Sequence, residues 1–186
     1  MPAAAPDAPE SAQRDALERA RRVRIMIFDV DGVLTDGRLW YGPSGESLKA
    51  FSVLDGHGIK MLMRSGVEVA LLSGRSSAAV SARAAELRIR HALQGIEDKV
   101  AAFGALLSGL GLGADSAGFM GDELVDLPVL RRCGFACAPA SARDLVLRHA
   151  HYVAAAPAGA GAARQACEFV MQAQGTLDAV LAKYLA

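Results

Sequence analysis

The 186-residue chain has no excess of charge of either sign, no long apolar run and few cysteines. Its 20 Lys and Arg side chains are balanced by 20 Asp and Glu side chains, so it lacks the basic stripe of a nucleic-acid-binding protein. No apolar run reaches the ~18 residues that a membrane helix needs, and no positively charged segment with an apolar core opens the chain. We therefore expect neither nucleic acid nor membrane as a partner, and a cytoplasmic location.

The cysteine and histidine content excludes two further classes of protein. Cys133, Cys137 and Cys167 are odd in number and lack the paired spacing of zinc ligands, a pattern that fits free thiols in a reducing compartment. The four histidines are scattered along the chain and do not indicate a histidine metal site. Neither a disulfide scaffold nor a zinc site is predicted.

The order of apolar runs along the chain predicts its fold class. Residues 1–22 are expected to be a disordered or helical extension, because 1–10 are rich in Ala and Pro and 11–24 could form a short charged helix. From residue 23 to residue 186 the length suits one domain. Short apolar runs alternate with helical stretches there, which predicts an α/β fold with a Rossmann-like, doubly wound, mainly parallel sheet.

Individual elements can be placed on this scheme. Strands are predicted at 25–28, 67–72, 117–120, 135–138 and 152–153, and helices at 58–64, 76–87, from 99 onward and within 167–185. The stretch Gly109-Leu110-Gly111-Leu112-Gly113 imitates a dinucleotide-binding fingerprint. It follows a helix instead of opening one, so it predicts a helix end and a loop.

Two aspartates stand where the first strand ends. The run Ile25-Met26-Ile27-Phe28 leads directly into Asp29-Val30-Asp31-Gly32, and ligands of open α/β sheets bind at the carboxyl ends of strands. Two close carboxylates repel each other unless a cation or a proton separates them. Mg²⁺ would remove that repulsion and leave one carboxylate for chemistry, which makes Asp29 the candidate nucleophile.

Two later strand ends carry groups that suit a phosphate. Ser73 follows the apolar run 67–72 at a strand-to-helix junction, where a hydroxyl and free backbone N–H groups can bind a phosphate oxygen. Asp122 and Asp126 follow the run 117–120. Taken alone, each feature is equally compatible with a turn, a helix cap or a solvated charge. Their order along the chain, each after an apolar run, favours a phosphoryl-transfer site.

The segment from Asp29 to Thr35 resembles the Asp-x-Asp-Gly-x-x-Thr signature of the haloacid dehalogenase superfamily of phosphotransferases. The resemblance implies that Asp29 attacks phosphorus and that Asp31 is the general acid and base. It also assigns Ser73 to the phosphoryl group and Lys99 to neutralisation of the nucleophile and the phosphate. The Gly-Asp-x-x-x-Asp element at 121–126 implies Mg²⁺ ligation by Asp122 directly and by Asp126 indirectly. With Asp29 and Asp31, these residues make up the predicted metal set, and Glu123 is a candidate member of the same acidic cluster.

The interval between Asp36 and Ser73 is too short for a cap domain. It is expected to hold a β-hairpin, with strands at 38–41 and 48–54 around the turn Gly42-Pro43-Ser44-Gly45, followed by a core helix. Capless members of the superfamily commonly close their sites by oligomerisation. A capless fold with a hairpin insertion after the first strand is therefore predicted.

A narrower resemblance rests on the hairpin, on Phe51-x-Val53-x-Asp55-Gly56-His57-Gly58-Ile59, on Leu72-Ser73-Gly74-Arg75 and on the late Gln172-Ala173-Gln174-Gly175. These elements resemble the 3-deoxy-D-manno-octulosonate 8-phosphate phosphatases, which supply a lipopolysaccharide precursor. The resemblance implies a homotetramer in which the segment 159–164 of one subunit reaches a neighbouring site. The substrate-binding residues it implies are Asp55, Gly56, His57, Arg75 and Arg164.

Three alternatives stay open on the sequence alone. A phosphatase for a related nine-carbon, sialic-type sugar acid phosphate would share the fold and all four motifs. A receiver-like signalling domain also places acids, a hydroxyl and a Lys around Mg²⁺, although Asp31 favours hydrolysis over storage of the aspartyl phosphate. A non-catalytic oligomeric domain is the third.

Overall fold

The computed structural model describes residues 10–43 and 45–185. Its strands are β1 (Ile25–Phe28), β2 (Trp40–Gly42), β3 (Gly45–Leu48), β4 (Glu68–Leu72), β5 (His91–Leu93), β6 (Ala117–Met120), β7 (Phe135–Ala138) and β8 (Tyr152–Val153). Within these ranges, six strands form one parallel sheet in the order β5-β4-β1-β6-β7-β8, and β2 pairs with β3 as an antiparallel hairpin. The chain builds outward from β1 to β5 on one side and then crosses to β6 on the other. The predicted doubly wound α/β fold is confirmed.

The helices cover both faces of this sheet. They are α1 (Glu10–Arg21), α2 (Val53–Arg64), α3 (Ala78–Leu87), α4 (Lys99–Leu110), α5 (Leu127–Leu130), α6 (Asp144–Leu147), α7 (Ala162–Ala173) and α8 (Leu177–Leu181), with short 3₁₀ turns at Ala114–Ser116, Leu124–Asp126 and Ala182–Tyr184. In this described part of the chain, no helix is both long and apolar enough to cross a lipid bilayer.

Alternating side chains of β1 divide the core into two layers. Met26 and Phe28 pack with apolar residues of α2, α3 and α7 on one face. Ile25 and Ile27 pack with apolar residues of α4, α5 and α6 on the other. Successive side chains of a strand point to opposite faces, and a central parallel strand is covered on both. This explains why β1 appears in the sequence as a continuous apolar run.

The region between β1 and β4 differs from the prediction in its boundaries. The second hairpin strand is Gly45–Leu48, so its expected position at 48–54 is wrong. Helix α2 starts at Val53, earlier than the predicted residue 58, because the hydroxyl of Ser52 accepts hydrogen bonds from the backbone N–H groups of Leu54 and Asp55. Ser44, in the predicted turn, lies outside the described residues. The described residues of this interval form the hairpin and α2, and they include no separate cap domain.

Helix α1 packs against helix α7. Helix α1 buries Ala16 and Ala20, and the Arg21 Nε donates to the carbonyl of Ala173 in α7 at 3.1 Å. The Gln174 side chain donates to the carbonyl of Val23 at 2.7 Å, which ties the entry into β1 to the end of α7. Residues 1–9 of the predicted extension lie outside the described residues. The division of the chain at residues 22 and 23 stays a prediction.

Candidate active site

The register of the parallel sheet brings three chain segments to one edge. Phe28, the last residue of β1, is aligned with Leu71 of β4 and with Met120 of β6. The backbone N–H of Asp29 continues this pairing by donating to the carbonyl of Met120 at 2.9 Å. The loops that follow these three strands therefore lie side by side at the carboxyl edge of the sheet, where open α/β sheets bind ligands.

A buried lysine joins the first of these loops to the third. The Lys99 Nζ lies 3.0 Å from Asp29 Oδ1 and 2.6 Å from Asp126 Oδ1. All three side chains are at most 9% exposed. Lys99 starts α4, where the helix dipole disfavours a cation, and the two carboxylates supply the compensation. Burial lowers the pKa of Lys99, but the neighbouring Asp29 and Asp126 outweigh it, so the net shift is upward.

Asp126 organises the loop after β6. Its Oδ2 accepts hydrogen bonds from the backbone N–H groups of Asp122 and Glu123 at 3.1 and 3.2 Å, while its Oδ1 faces Lys99. Gly121 permits this arrangement, because a Cβ at residue 121 would lie 2.5 Å from the Cβ of Asp126. With both carboxylate oxygens in use, Asp126 is suited to positioning Asp122 and Lys99 more than to direct ligation of a metal.

Three carboxylates form a group that can hold a cation. One oxygen each from Asp29, Asp122 and Asp126 lies within 4.8 Å of the others. Glu123, the possible fourth member, pairs instead with Arg143 at 3.2 Å. An all-oxygen donor set of this kind is the one that a hard cation such as Mg²⁺ prefers.

The surroundings of Asp122 fit a cation as well. Its Oδ1 is buried and has no hydrogen-bond partner among the described residues, which is costly unless a ligand satisfies it. Gly32, at φ 85°, brings the loop after β1 so close that a Cβ there would lie 2.1 Å from Asp122 Oδ2. The two loops therefore form a cradle that a side chain at residue 32 would fill.

Burial and mutual repulsion raise the pKa values of two of these carboxylates. Burial, and then the charge of Asp126, raise the pKa of Asp29 to about 6 against the opposing effect of Lys99. Burial, and then the charge of Asp29, raise the pKa of Asp122 to about 7. A divalent cation would relieve both effects, because it stabilises the charged form of each carboxylate.

Asp31 lies in a different environment from the other predicted metal ligands. Its Oδ1 forms an ion pair with the Lys49 Nζ, and its Oδ2 lies 3.8 Å from the Arg75 Nε. Its carboxylate is not a member of the three-carboxylate group described above. The prediction of Asp31 as a carboxylate ligand of the metal is therefore not supported by the geometry, because two cations already flank this side chain.

Sequence reasoning did not identify Lys49 as a site residue. No motif surrounds this lysine, and it follows the second hairpin strand directly. A signal was nevertheless present. A hairpin inserted between the Asp31 loop and a core helix must return to the same edge of the sheet, and a lysine at its end can reach an aspartate there.

Ser73 and Arg75 occupy the loop after β4, as predicted from the second apolar run. Ser73 is 2% exposed, and its hydroxyl accepts a hydrogen bond from the backbone N–H of Arg75 at 3.2 Å. The Arg75 Nη2 donates to the hydroxyl of Tyr41 in the hairpin at 3.2 Å. Arg75 therefore connects the hairpin with Asp31.

Asp55, which is predicted to border the substrate pocket, makes its hydrogen bonds to the backbone of its own subunit. It is 2% exposed. Its Oδ1 accepts from the backbone N–H of Arg164 at 2.9 Å and its Oδ2 from that of Gly161 at 3.2 Å. These N–H groups belong to the start of α7, which lacks a side-chain cap of its own. Asp55 therefore caps α7 from the neighbouring helix α2.

The other predicted pocket residues surround the same contact between α2 and α7. Gly56 packs against the guanidinium of Arg83, which a Cβ at residue 56 would approach to 2.2 Å. His57 lies between two partners, with Nδ1 3.2 Å from the Arg164 Nη1 and Nε2 2.8 Å from the Tyr184 hydroxyl. The arrangement thus places Gly56 and His57 at a helix contact.

The segment 159–164 does not extend away from its own chain. The backbone N–H of Gly159 donates to the carbonyl of Val33 at 3.0 Å. The Arg164 Nε donates to Glu168 one helical turn later at 2.7 Å. The backbone donor of Gly159 and the guanidinium of Arg164 are thus bound within the subunit, and the prediction that this segment reaches a neighbouring site stays a prediction.

Known proteins resemble the chain over most of its length. The 3-deoxy-D-manno-octulosonate 8-phosphate phosphatase KdsC of Escherichia coli (strain K12) is 42% identical over 164 residues, which are 88% of this chain and 87% of that protein. No family model matches the chain.

Solved structures resemble the fold over most of the chain. The crystal structure of a probable yrbi family phosphatase from Pseudomonas syringae pv. phaseolica 1448a is 47% identical, with a TM-score of 0.91 over 93% of this chain and 98% of that one. The 3-deoxy-D-manno-octulosonate 8-phosphate phosphatase of Moraxella catarrhalis, in complex with magnesium ion, phosphate ion and a KDO molecule, is 36% identical. Its TM-score is 0.89 over 92% of this chain and 98% of that one.

Proposed function

The chain belongs to the 3-deoxy-D-manno-octulosonate 8-phosphate phosphatases of the haloacid dehalogenase superfamily, and on this premise we propose that it hydrolyses 3-deoxy-D-manno-octulosonate 8-phosphate with the help of Mg²⁺. The products are the free sugar acid, a lipopolysaccharide precursor, and inorganic phosphate. The observation that carries the proposal is the Lys99-bridged group of Asp29, Asp122 and Asp126 at the carboxyl edge of the sheet.

Asp29 is the nucleophile in this proposal. Its carboxylate attacks the phosphorus atom, and the bond between phosphorus and the sugar oxygen breaks, so that an aspartyl phosphate forms. Lys99 holds Asp29 Oδ1 at 3.0 Å and supplies a fixed positive charge where phosphate charge accumulates. Asp126 holds Lys99 in turn, and both are buried.

Asp31 is the general acid and base. It donates a proton to the sugar oxygen as that oxygen leaves. It then takes a proton from the water that attacks phosphorus, and the bond between phosphorus and the Asp29 oxygen breaks, so that Asp29 is restored and inorganic phosphate is released. Because Asp31 activates the water that hydrolyses the aspartyl phosphate, turnover is favoured over the storage of a phosphoryl group in a receiver-like domain.

Asp29 and Asp122 would hold Mg²⁺ directly, and Asp126 would position Asp122 and Lys99. When bound, the ion would supply the positive charge that neutralises the carboxylates and the phosphate. In this proposal Ser73, in the loop after β4 (Glu68–Leu72), contacts the phosphoryl group with its hydroxyl and backbone N–H. Arg75 is 43% exposed in its side chain and is suited to the carboxylate of the sugar acid, which a guanidinium can bind in a bidentate manner.

The proposal includes a homotetramer in the cytoplasm. The hairpin exposes Trp40 by 57%, Tyr41 by 65% and Leu48 by 66%, and such an edge is commonly covered by another subunit. The cytoplasmic location is supported by three cysteines that are free and buried, as is usual in a reducing compartment.

A phosphate-release assay tests the substrate assignment. The purified protein is mixed with Mg²⁺ and a panel that contains 3-deoxy-D-manno-octulosonate 8-phosphate, a nine-carbon sialic-type sugar acid 9-phosphate and simple sugar phosphates. We expect the highest kcat/KM for the eight-carbon substrate and no turnover with excess chelator. Asp29→Asn is the matched control, since an amide cannot act as the nucleophile. A preference for the nine-carbon acid would overturn the substrate, and full activity of Asp29→Asn would overturn the mechanism.

A further inference from the structure

The side chain of Lys49 is buried although it carries a charge. Its side-chain exposure is 0%, and its Nζ forms an ion pair with Oδ1 of Asp31. Lysine is seldom buried in this way unless its charge is paired. The residue follows β3 (Gly45–Leu48), so the hairpin carries it to the carboxyl edge of the sheet.

The second carboxylate oxygen of Asp31 differs from the first in its contacts. Its Oδ2 is buried and has no hydrogen-bond partner among the described residues. The Arg75 Nε lies 3.8 Å away, beyond the distance of a hydrogen bond. The two oxygens of one carboxylate are therefore distinct, since Oδ1 is paired with Lys49 and Oδ2 has no hydrogen-bond partner among the described residues.

We propose that Lys49 is a positioning residue for proton transfer by Asp31. It anchors Oδ1 and so leaves Oδ2 as the oxygen that carries the proton. This inference rests on the proposed phosphatase function. In the first step the Oδ2–H bond breaks and its proton moves to the sugar oxygen while the phosphorus–oxygen bond breaks. In the second step Oδ2 receives a proton from the water that forms a bond to phosphorus, while the bond between phosphorus and the Asp29 oxygen breaks and releases inorganic phosphate.

A second residue of the hairpin, Tyr41, contacts the other cation that flanks Asp31. Tyr41 of β2 (Trp40–Gly42) accepts a hydrogen bond from Arg75 at 3.2 Å, and Arg75 is the other cation beside Asp31. Both cations that flank the acid are thus connected to the hairpin. A structural feature that sequence reasoning assigned to oligomerisation also determines the geometry of the catalytic acid.

The leaving group of the substrate distinguishes positioning of an acid from a general structural role. A sugar alkoxide is strongly basic and needs a proton to leave, whereas p-nitrophenolate leaves without one. The ratio kcat/KM reports the steps up to the departure of the leaving group. Lys49→Met should therefore lower kcat/KM for 3-deoxy-D-manno-octulosonate 8-phosphate by about 10-fold or more, a part of the ~10²- to 10⁴-fold effect of a general acid. It should change kcat/KM for p-nitrophenyl phosphate by less than about threefold.

Two further variants complete the experiment. Lys49→Arg keeps a cation beside Asp31 and should recover part of the kcat/KM that Lys49→Met loses on the sugar phosphate. Lys183→Met applies the same change to an exposed lysine and should leave kcat/KM unchanged for both substrates. The aryl phosphate also reports whether Lys49→Met is folded and able to bind Mg²⁺. Equal losses on both substrates, or no loss on either, would overturn the inference.

Failure of the proposed phosphatase function is distinguished from failure of this inference by the wild-type protein. The wild type would then show no turnover or would prefer another substrate. If another alkyl phosphate proves to be the better substrate, the comparison with p-nitrophenyl phosphate is made with that compound, and the expected selective loss is the same.

Discussion

Lys99 bridges Asp29 and Asp126, with its Nζ 3.0 Å from one carboxylate and 2.6 Å from the other. The two aspartates follow different strands, β1 and β6, and the lysine starts helix α4 on the second face of the sheet. One cation thus balances two buried anions and fixes the distance between the nucleophile loop and the metal loop. Its removal is expected to affect both stability and catalysis.

Lys99→Met should destabilise the protein and reduce turnover strongly. Loss of one partner leaves buried charge uncompensated, which typically costs ~3–5 kcal/mol in the free energy of unfolding, and loss of a fixed charge at the phosphate typically costs ~10²-fold or more in kcat. Urea unfolding and phosphate release measure the two effects. Adding Asp126→Asn to Lys99→Met should recover part of the stability but none of the turnover. Recovery of turnover in the double variant would show that Lys99 acts only through the fold.

The stabilisation by Mg²⁺ should grow with pH. Without metal, Asp29 and Asp122 have folded-state pKa values raised to about 6 and about 7, above the ordinary value of 3.8. Their contribution to stability is fully present below that ordinary value and is lost as the pH rises through about 6 to 7. Mg²⁺ replaces the protons, so its effect on Tm should be small near pH ~5 and large near pH ~8.

Thermal unfolding with Mg²⁺ and with chelator, across this pH range, measures the difference. Asp122→Asn is the matched variant, since it removes one of the two titrating ligands. It should raise Tm in chelator at the upper end of the range and should weaken the response to Mg²⁺. A Mg²⁺ effect that does not change with pH would contradict the assignment of these carboxylates to the metal.

Much of this site could be predicted because it lies at strand ends. An apolar run that stops at a polar residue marks the carboxyl edge of a buried parallel strand, and Asp29, Ser73 and Asp122 were located in this way. The order of the runs was also enough to predict a doubly wound sheet. Helix α4 begins at Lys99 as expected, where Asp98 accepts hydrogen bonds from the backbone N–H groups of Val100 and Ala101.

The contacts that were missed depend on packing between distant segments. Lys49 belongs to no motif, and its burial against Asp31 follows only from the path of the hairpin. Asp55 and Arg164 are predicted to bind substrate by resemblance, and their separation of 109 positions in the sequence conceals that one caps the helix that carries the other. A pattern in sequence identifies an unusual residue more readily than it identifies the partner of that residue.

Asp55→Ala should lower stability with little direct effect on catalysis. The carboxylate accepts from two backbone N–H groups at the start of α7 (Ala162–Ala173), and leaving buried donors without an acceptor costs ~1–3 kcal/mol. Asp55→Asn keeps one acceptor and should lose less. Urea unfolding measures the loss, and kinetics at a temperature where all variants are folded should give KM values close to that of the wild type. A large rise in KM at unchanged stability would instead favour direct contact of Asp55 with the substrate.

Disruption of the hairpin surface should dissociate the proposed tetramer and weaken the active site together. Trp40 and Leu48 face each other across β2 and β3 and are 57% and 66% exposed, so Trp40→Glu with Leu48→Glu places two charges on the surface proposed to join subunits. Light scattering should give a mass of four chains for the wild type and a smaller one for the variant. Turnover should fall as well, because Lys49 follows Leu48 directly and depends on the path of the hairpin. Leu145→Glu, at another exposed leucine, is the matched control and should leave both mass and turnover unchanged. A wild-type protein that is monomeric and fully active would contradict the tetramer.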